Sequence, residues 1–330
     1  MTLEILDRSR QALLDQVLDE TWPIWHDGLT RPAYGTYNDA QLRTPWGAAH
    51  LARVGLVKDG ALLASAKRYR LTLFIDGEPV PTLGIGAVFT PPAVRGRGHA
   101  PALIERLCED ARSDGCRAAL LFSEIGSQYY ERLGFTVIPH ETSDVLVRSG
   151  AGAPAVMVRA GEPADSVHVA TMLSRRAQEY RVGVAHDADQ VSYSVAKKRL
   201  LAGRDVTGRR SVEYFVTEEG YQAVAFVLIQ VTRPAIPGEP EKWCLASAGD
   251  RDPTGARVGA MLQVLVARHP GEAPPVIRAW WPAGMRPPQL DIARRGLAAE
   301  VMMLRVLDPS LRIGTWFVEG AACYWHGDAF

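Results

Sequence analysis

The chain has 330 residues, 47% hydrophobic and 22% charged, with Lys plus Arg and Asp plus Glu balanced at 37 each. This describes an ordinary soluble globular protein with room for two domains, and the balance leaves no single-sign field to hold a nucleic acid or an anionic membrane. Cys108, Cys116, Cys244 and Cys323 form no CxxC pair and have no His at metal-ligand spacing, so reduced thiols are expected and a metal site is not.

In chain order, the N-terminus is amphipathic and acidic, without the basic start and apolar core of a secretory signal, and no run approaches the roughly 18 apolar residues a membrane span needs. A cytoplasmic protein without a membrane partner is expected. Leu6, Leu13, Leu14, Val17 and Leu18 set a helical period over Leu6 to Glu20, ending near Trp22-Pro23, and a loop rich in Trp, Tyr and Pro follows. The segments from Leu51, Ala61 and Val80 read as antiparallel strands joined by turns at Lys58-Asp59-Gly60 and Asp76-Gly77. Pro101 to Ala111 reads as a helix, Ala118 to Phe122 as a buried strand, Ser127 to Leu133 as a helix closed by Gly134, and Phe135 to Val147 as more strand. Ser149 to Pro154 has linker composition. Behind it a strand and long helix, a helix from Ser192 to Leu201, three strands, a helix from Ala256 to Arg268 and two more strands echo the first half, the pattern of an internal duplication.

The stretch VFTPPAVRGRGHAPALIERL concentrates the chemistry. Arg95, Gly98 and Ala100 fit RxxGxG/A between a strand and a helix, where glycines let the backbone approach a ligand and the exposed amides and dipole of the helix start favour an anion such as a pyrophosphate. Pro91 and Pro92 cannot extend a hydrogen-bonded ladder and are expected to splay the preceding strand, opening a cleft. A solvated Arg/Gly connection is the alternative for this turn taken alone.

With LLFSEIGSQYYERLGF about two dozen residues on, the constellation resembles the acetyl-CoA-binding core of the GNAT superfamily of N-acetyltransferases over Leu51 to Val147. The resemblance implies an α/β fold of two tandem GNAT-like units, each a mixed, mostly antiparallel sheet flanked by helices: a catalytic domain over 1–148 and a degenerate one over 155–330 whose tail docks toward the active site. It implies Val88 and Phe89 against the pantetheine arm, Arg95, Gly96, Arg97, Gly98, His99 and Ala100 at the pyrophosphate, and Tyr130 near the thioester sulfur. In the second half GDRDPTGARVGAML has its glycines at the wrong spacing and puts Asp250 and Asp252 where an anion would be repelled, so no coenzyme is expected there. Tandem chains of this kind resemble the fungal lysine acetyltransferases, closer in local motif, and the bacterial enhanced intracellular survival aminoglycoside acetyltransferases.

A lysine-type amine of pKa about 10.4 must lose a proton at a cost of roughly 4–5 kcal/mol near neutral pH, so a base or a desolvated pocket is required. Glu124, just past a buried strand, is one candidate. The terminal carboxylate of Phe330, at the end of an aromatic tail, is another by resemblance to the enhanced intracellular survival enzymes. Tyr130 is the candidate acid for the departing thiolate, and an amide near Phe89 the donor to the oxyanion. Trp22, Trp25 and Tyr37, with His26 and Tyr34, are candidates for one wall of the acceptor pocket, and Lys197-Lys198-Arg199 reads as a solvated helix face. The function expected is acetyl transfer from acetyl-CoA, through a ternary complex, to a small-molecule primary amine, lysine-like first and aminoglycoside or polyamine next. A coenzyme A-binding sensor or scaffold without turnover, and a protein lysine acetyltransferase, are the alternatives; residue types do not indicate the oligomeric state.

Overall fold

A computed structural model describes residues 1–148, 156–271, 273–297, 300–311, 318 and 320–329. The chain opens with strand β1 (Thr2–Ile5) and helices α1 (Gln11–Trp25), α2 (Arg31–Arg43) and α3 (Pro45–His50). Strands β2 (Leu51–Lys58), β3 (Ala61–Ile75) and β4 (Glu78–Phe89) form the expected antiparallel meander. Helix α4 (His99–Ser113) then crosses to β5 (Ala118–Ser123), parallel to β4, and α5 (Gln128–Glu131) leads to β6 (Thr136–Val137) and β7 (Glu141–Val147). The second half runs β8 (Val158–Ala160), α6 (Ser166–Gln178), β9 (Val182–Val184), α7 (Ala188–Gly203), β10 (Arg210–Glu219), β11 (Gln222–Thr232), β12 (Lys242–Asp250), α8 (Ala256–Ala267), β13 (Val276–Ala279), β14 (Leu290–Leu297), β15 (Val301–Val306) and β16 (Ala322–Cys323).

Two mixed sheets result, flanked by helices. The first runs β1-β2-β3-β4-β5-β15-β6, with β9 on the far end of β3 and β16 beyond it; the second runs β14-β7-β13-β12-β11-β10-β8. The first half lends the second sheet β7, between β14 and β13, and the second half lends the first sheet β15, between β5 and β6, besides β9 and β16. The sheets therefore cross the expected boundary at 148/155, and the linker Ser149 to Pro154 lies outside the described residues. Phe135 to Val147, read as one stretch of strand, divides at Pro139 because its two ends pair in different sheets.

Three local readings change. The first helix starts at Gln11 rather than Leu6: Leu6 extends the edge strand through a bond from its amide to Arg53 O (2.8 Å), and Asp7 caps a 3-10 turn ahead of the helix. The aromatic segment after Pro23 is not a loop but the end of α1 and all of α2. Thr30 caps α2, and Tyr34, Tyr37, Asn38 and Gln41 form its buried face at helical spacing, so packing overrides the poor propensity of Pro, Gly, Thr and Asn. Lys198 is buried and Lys197 half-buried, so of the basic run of α7 only Arg199 lies on a solvated face.

Helix α4 lays Leu103, Ile104, Leu107, Cys108 and Ala111 on one face of the first sheet, against Val54, Leu56, Ala64, Ala66, Leu83 and Ile85. The opposite face, carrying Tyr69, Leu71 and Leu73, packs in a larger core with Val191, Tyr193 and Trp325 of the second half. Among the described residues no helix is long and apolar enough to cross a membrane.

Candidate active site

Strand β4 runs beside β5 only from the pair Thr82–Ala118 to the pair Ile85–Leu121, although β4 continues to Phe89 and β5 to Ser123. On its other edge β4 stays with β3, but the register slips: Gly86 faces Lys67 and Phe89 faces Ser65, so Ala87 and Val88 share one partner residue, Ala66. Ala87 sits in that slip at φ +48°. A bulge of this kind bends its strand away from the ladder, and Gly86 to Phe89 turn their β5-side backbone groups toward a gap. The cleft is thus present, but the prolines do not cause it. Pro91 and Pro92 follow the end of the strand, and Pro92 opens a 3-10 turn over Pro92–Val94.

Downstream, Gly96 (φ +75°) and Gly98 (φ +79°) hold conformations that only glycine adopts at little cost. Gly98 caps α4 without any side-chain bond, and the first helical bond runs from Ala102 N to Gly98 O. Among the described residues the amides from Gly96 to Ala100 meet no acceptor. A Cβ built at either glycine would meet no atom within 4 Å, so the space over the turn is open. Unpaired amides at the positive end of a helix dipole make an anion site. His99 is the first residue of α4 and, like Ala100, half-buried. Arg97 is exposed, with no partner among the described residues, and is available to a phosphate. Arg95 instead folds back, donating from Nε to Thr90 O (3.0 Å) with its guanidinium 5.8 Å from the Phe89 ring centre.

The second half supplies an internal control. Helix α8 also begins after a left-handed glycine, Gly255 (φ +74°). There the buried Asp250 carboxylate accepts from the amide of Arg257 (2.8 Å), the amide of Asp252 (2.9 Å) and the Arg257 guanidinium (3.1 Å). The Met285 side chain fills the space beside Gly255. This helix start is satisfied by its own chain, where that of α4 is open.

Around the cleft, Val88 and Tyr130 border the same apolar cluster beneath α4. The Tyr130 ring packs edge-on against Tyr129 (4.9 Å) and Phe135 (6.1 Å), and its hydroxyl has no partner among the described residues. Burial, with a smaller contribution from Tyr129, pushes its phenol up to about 12, so it carries its proton at neutral pH. Glu124 follows the end of β5, exposed and without a hydrogen bond among the described residues. Trp25, in the last turn of α1, stands T-shaped on Phe89 at 6.5 Å, joining the acceptor-wall candidates to the parted strand. Trp22 and Tyr37 belong with Trp25 to the cluster between α1 and α2 that packs against Leu200 and Leu201 of α7, and Trp22 Nε1 is bonded to Leu29 O (2.8 Å). Phe330 lies outside the described residues.

The structure also brings Arg53, Lys67, Gln41 and Tyr193 into one polar group on the sheet face beside the bulge. Sequence reading passed over them, though strand alternation held the signal: Lys67 occupies an inward position in the series Ser65, Lys67, Tyr69, Leu71.

Residues 24–138 match the family model described as an acetyltransferase (GNAT) domain. No curated protein sequence matches the chain. Among solved structures, a probable N-acyltransferase from Enterococcus faecalis V583 superposes with a TM-score of 0.65 at 14% identity, covering 93% of this chain and 72% of its own. Eis1 of Mycobacterium abscessus gives 0.59 at 16% identity over 93% and 74% of the two chains. Saccharomyces cerevisiae N-myristoyltransferase with bound myristoyl-CoA gives 0.53 at 12% identity over 92% and 82%. These likenesses show the fold, and the family match covers the parted strand, the glycine turn and Tyr130. Over residues 24–138 the chain thus carries a stretch similar to the GNAT acetyltransferase domain.

Proposed function

We propose that the protein transfers an acetyl group from acetyl-CoA to the primary amine of a small molecule, lysine-like first and aminoglycoside or polyamine second, in a ternary complex at the first half alone. The observation that carries this reading is the contrast between the two helix starts: amides 96–100 of α4 lack an acceptor, whereas at the start of α8 the Asp250 carboxylate accepts from the amide of Arg257. The residues fit the coenzyme. Gly96 to Ala100 would hold its diphosphate with Arg97 beside them, and the unpaired edge of Gly86 to Phe89 would line its pantetheine arm.

Acetyl-CoA supplies the activated thioester carbonyl. The residues around it have separate tasks. An amide at Val88 or Phe89 donates to the carbonyl oxygen as negative charge develops there. Glu124, directly or through water, takes the proton that the amine releases as the C–N bond forms. Tyr130 donates its O–H to the sulfur as the C–S bond breaks. Trp25 and Phe89 exclude water and pack the acceptor's aliphatic stem.

A thiol-release screen with acetyl-CoA across lysine, ornithine, polyamines and aminoglycosides tests the reading. Release with at least one amine is expected. Coenzyme binding with no release from any of them would mark a sensor or scaffold instead.

A further inference from the structure

The face of β2 and β3 that looks toward α2 holds an arrangement the transfer steps leave unused. Arg53 and Lys67 are direct cross-strand partners, so their side chains leave the sheet side by side. Like charges placed opposite one another destabilise a sheet. Solvent does not relieve the conflict, because Arg53 is only 5% exposed. Lys67 is held well below the ordinary lysine range by burial first, then by the neighbouring cations Arg53 and Lys197. The partners the fold provides are neutral. Arg53 Nη2 donates to Asn38 Oδ1 (2.8 Å), and Lys67 Nζ to Gln41 Oε1 (3.2 Å), which also accepts from the Tyr193 hydroxyl (3.2 Å). Among the described residues no Asp or Glu pairs with either cation.

Two further atoms point the same way. Arg53 Nη1 is buried with no hydrogen-bond partner, and so is Ser65 Oγ, two residues from Lys67 on the same face. An orphaned guanidinium nitrogen and hydroxyl in an interior that excludes water are costly unless something else meets them. The patch adjoins the reaction cleft: Lys67 faces Gly86, where β4 begins to leave β5, and Ser65 faces Phe89, whose ring meets Trp25. With glycine at 84 and 86, β4 adds no side chain opposite Tyr69 and Lys67.

We propose that Arg53 and Lys67, with Ser65 Oγ as a third donor, form a carboxylate subsite for the acceptor, so that the amine acetylated is that of an amino acid or a similar small carboxylated amine. This deepens the acetyl-transfer reading and rests on it for the identity of the other end of the acceptor. A carboxylate would meet the orphaned donors through charge-assisted bonds and remove the cation–cation conflict. An aminoglycoside or polyamine would add positive charge to the two cations already present.

Calorimetric titration of the full chain, preloaded with coenzyme A, decides the matter without needing turnover. L-lysine and L-ornithine are each compared with their amides and with cadaverine and putrescine. The amino acids are expected to bind about 10- to 100-fold tighter than their amides or the decarboxylated diamines. Lys67→Met and Arg53→Gln are each expected to shrink that ratio to about threefold or less, and Lys67→Met to melt no lower than the wild type before acceptor is added. Equal affinities within every pair, a ratio unmoved in both variants, or lower melting temperatures for both would overturn the subsite. Discrimination in binding without thiol release would overturn acetyl transfer alone, and thiol release without discrimination would overturn the subsite alone.

Discussion

Tyr130→Phe removes one oxygen and separates the packing role of this residue from its chemistry. The ring is 8% exposed and keeps its edge contacts to Tyr129 and Phe135 in the variant. Its hydroxyl has no partner among the described residues, so folding loses little, about 0.5 kcal/mol or less in either direction. Catalysis loses a donor to a sulfur that gains negative charge as the C–S bond breaks. A hydrogen bond to a charged group is worth about 1.5–3 kcal/mol, which lowers the rate about 10- to 150-fold. The loss should fall on kcat, with KM little changed, because the bond matters only as charge develops. A phenol raised by burial stays protonated until the pH climbs through its folded value, about 12. The wild-type profile should therefore show no alkaline limb from this residue below about pH 11. Thiol-release kinetics, calorimetry with coenzyme A and a thermal melt on both proteins give the answer. A kcat within about twofold of wild type, or a fall in kcat accompanied by more than about 2 kcal/mol of destabilisation, would refute the assignment.

Gly98→Ala places a Cβ in open space at φ +79°. It should cost about 1 kcal/mol of stability from the left-handed backbone and weaken coenzyme A binding by at least about 10-fold through the crowded phosphate turn, both read by melting and calorimetry; unchanged affinity would move the coenzyme elsewhere. In the second half, Asp250→Ala strips the carboxylate from the start of α8 and leaves the Arg257 amide and guanidinium without it. The expected loss is about 3 kcal/mol in urea unfolding, with coenzyme A stoichiometry still one per chain; a second bound coenzyme in the wild type would contradict the control drawn from this helix. Lys198 donates to Ser194 Oγ (2.8 Å) and Gly327 O (3.3 Å), and burial, followed by Lys197, lowers its ammonium to about 7. Between that value and the unfolded value of about 10.4 the unfolded chain holds a proton that the native chain has released, so native stability rises with pH across this window. The wild-type stability minus that of Lys198→Met should climb by about 3–5 kcal/mol from pH 7 to pH 10, and a flat difference in urea titrations would refute the burial argument.

Much of the first half was legible without coordinates because its signals are local. Alternating apolar residues and the Asp-Gly turns place β2 to β4, and helical spacing from Leu103 to Ala111 places α4. The Arg95–Ala100 motif needs only glycine's tolerance of positive φ and an unpaired helix start. The acidic residues before α8 marked the second turn as unfit for an anion, and Asp250 now sits on those amides. Other features depended on pairings between distant segments. The aromatic stretch with Pro, Gly and Asn has little intrinsic helicity, and α2 forms because Tyr34, Tyr37 and Gln41 pack against the rest of the chain. The exchange of β7 and β15 between sheets leaves no local trace, since a strand's sequence says that it pairs but not with which neighbour.

Sequence alone thus determined the glycine turn ahead of α4, because positive φ and an unpaired helix start are written in the backbone preferences of a few consecutive residues. Tertiary structure decided what surrounds it. The bulge at Ala87, rather than the prolines, parts β4 from β5, and the β2–β3 register sets Arg53 against Lys67. Those outcomes follow from long-range strand pairing, whose energy lies in contacts between segments far apart in the chain.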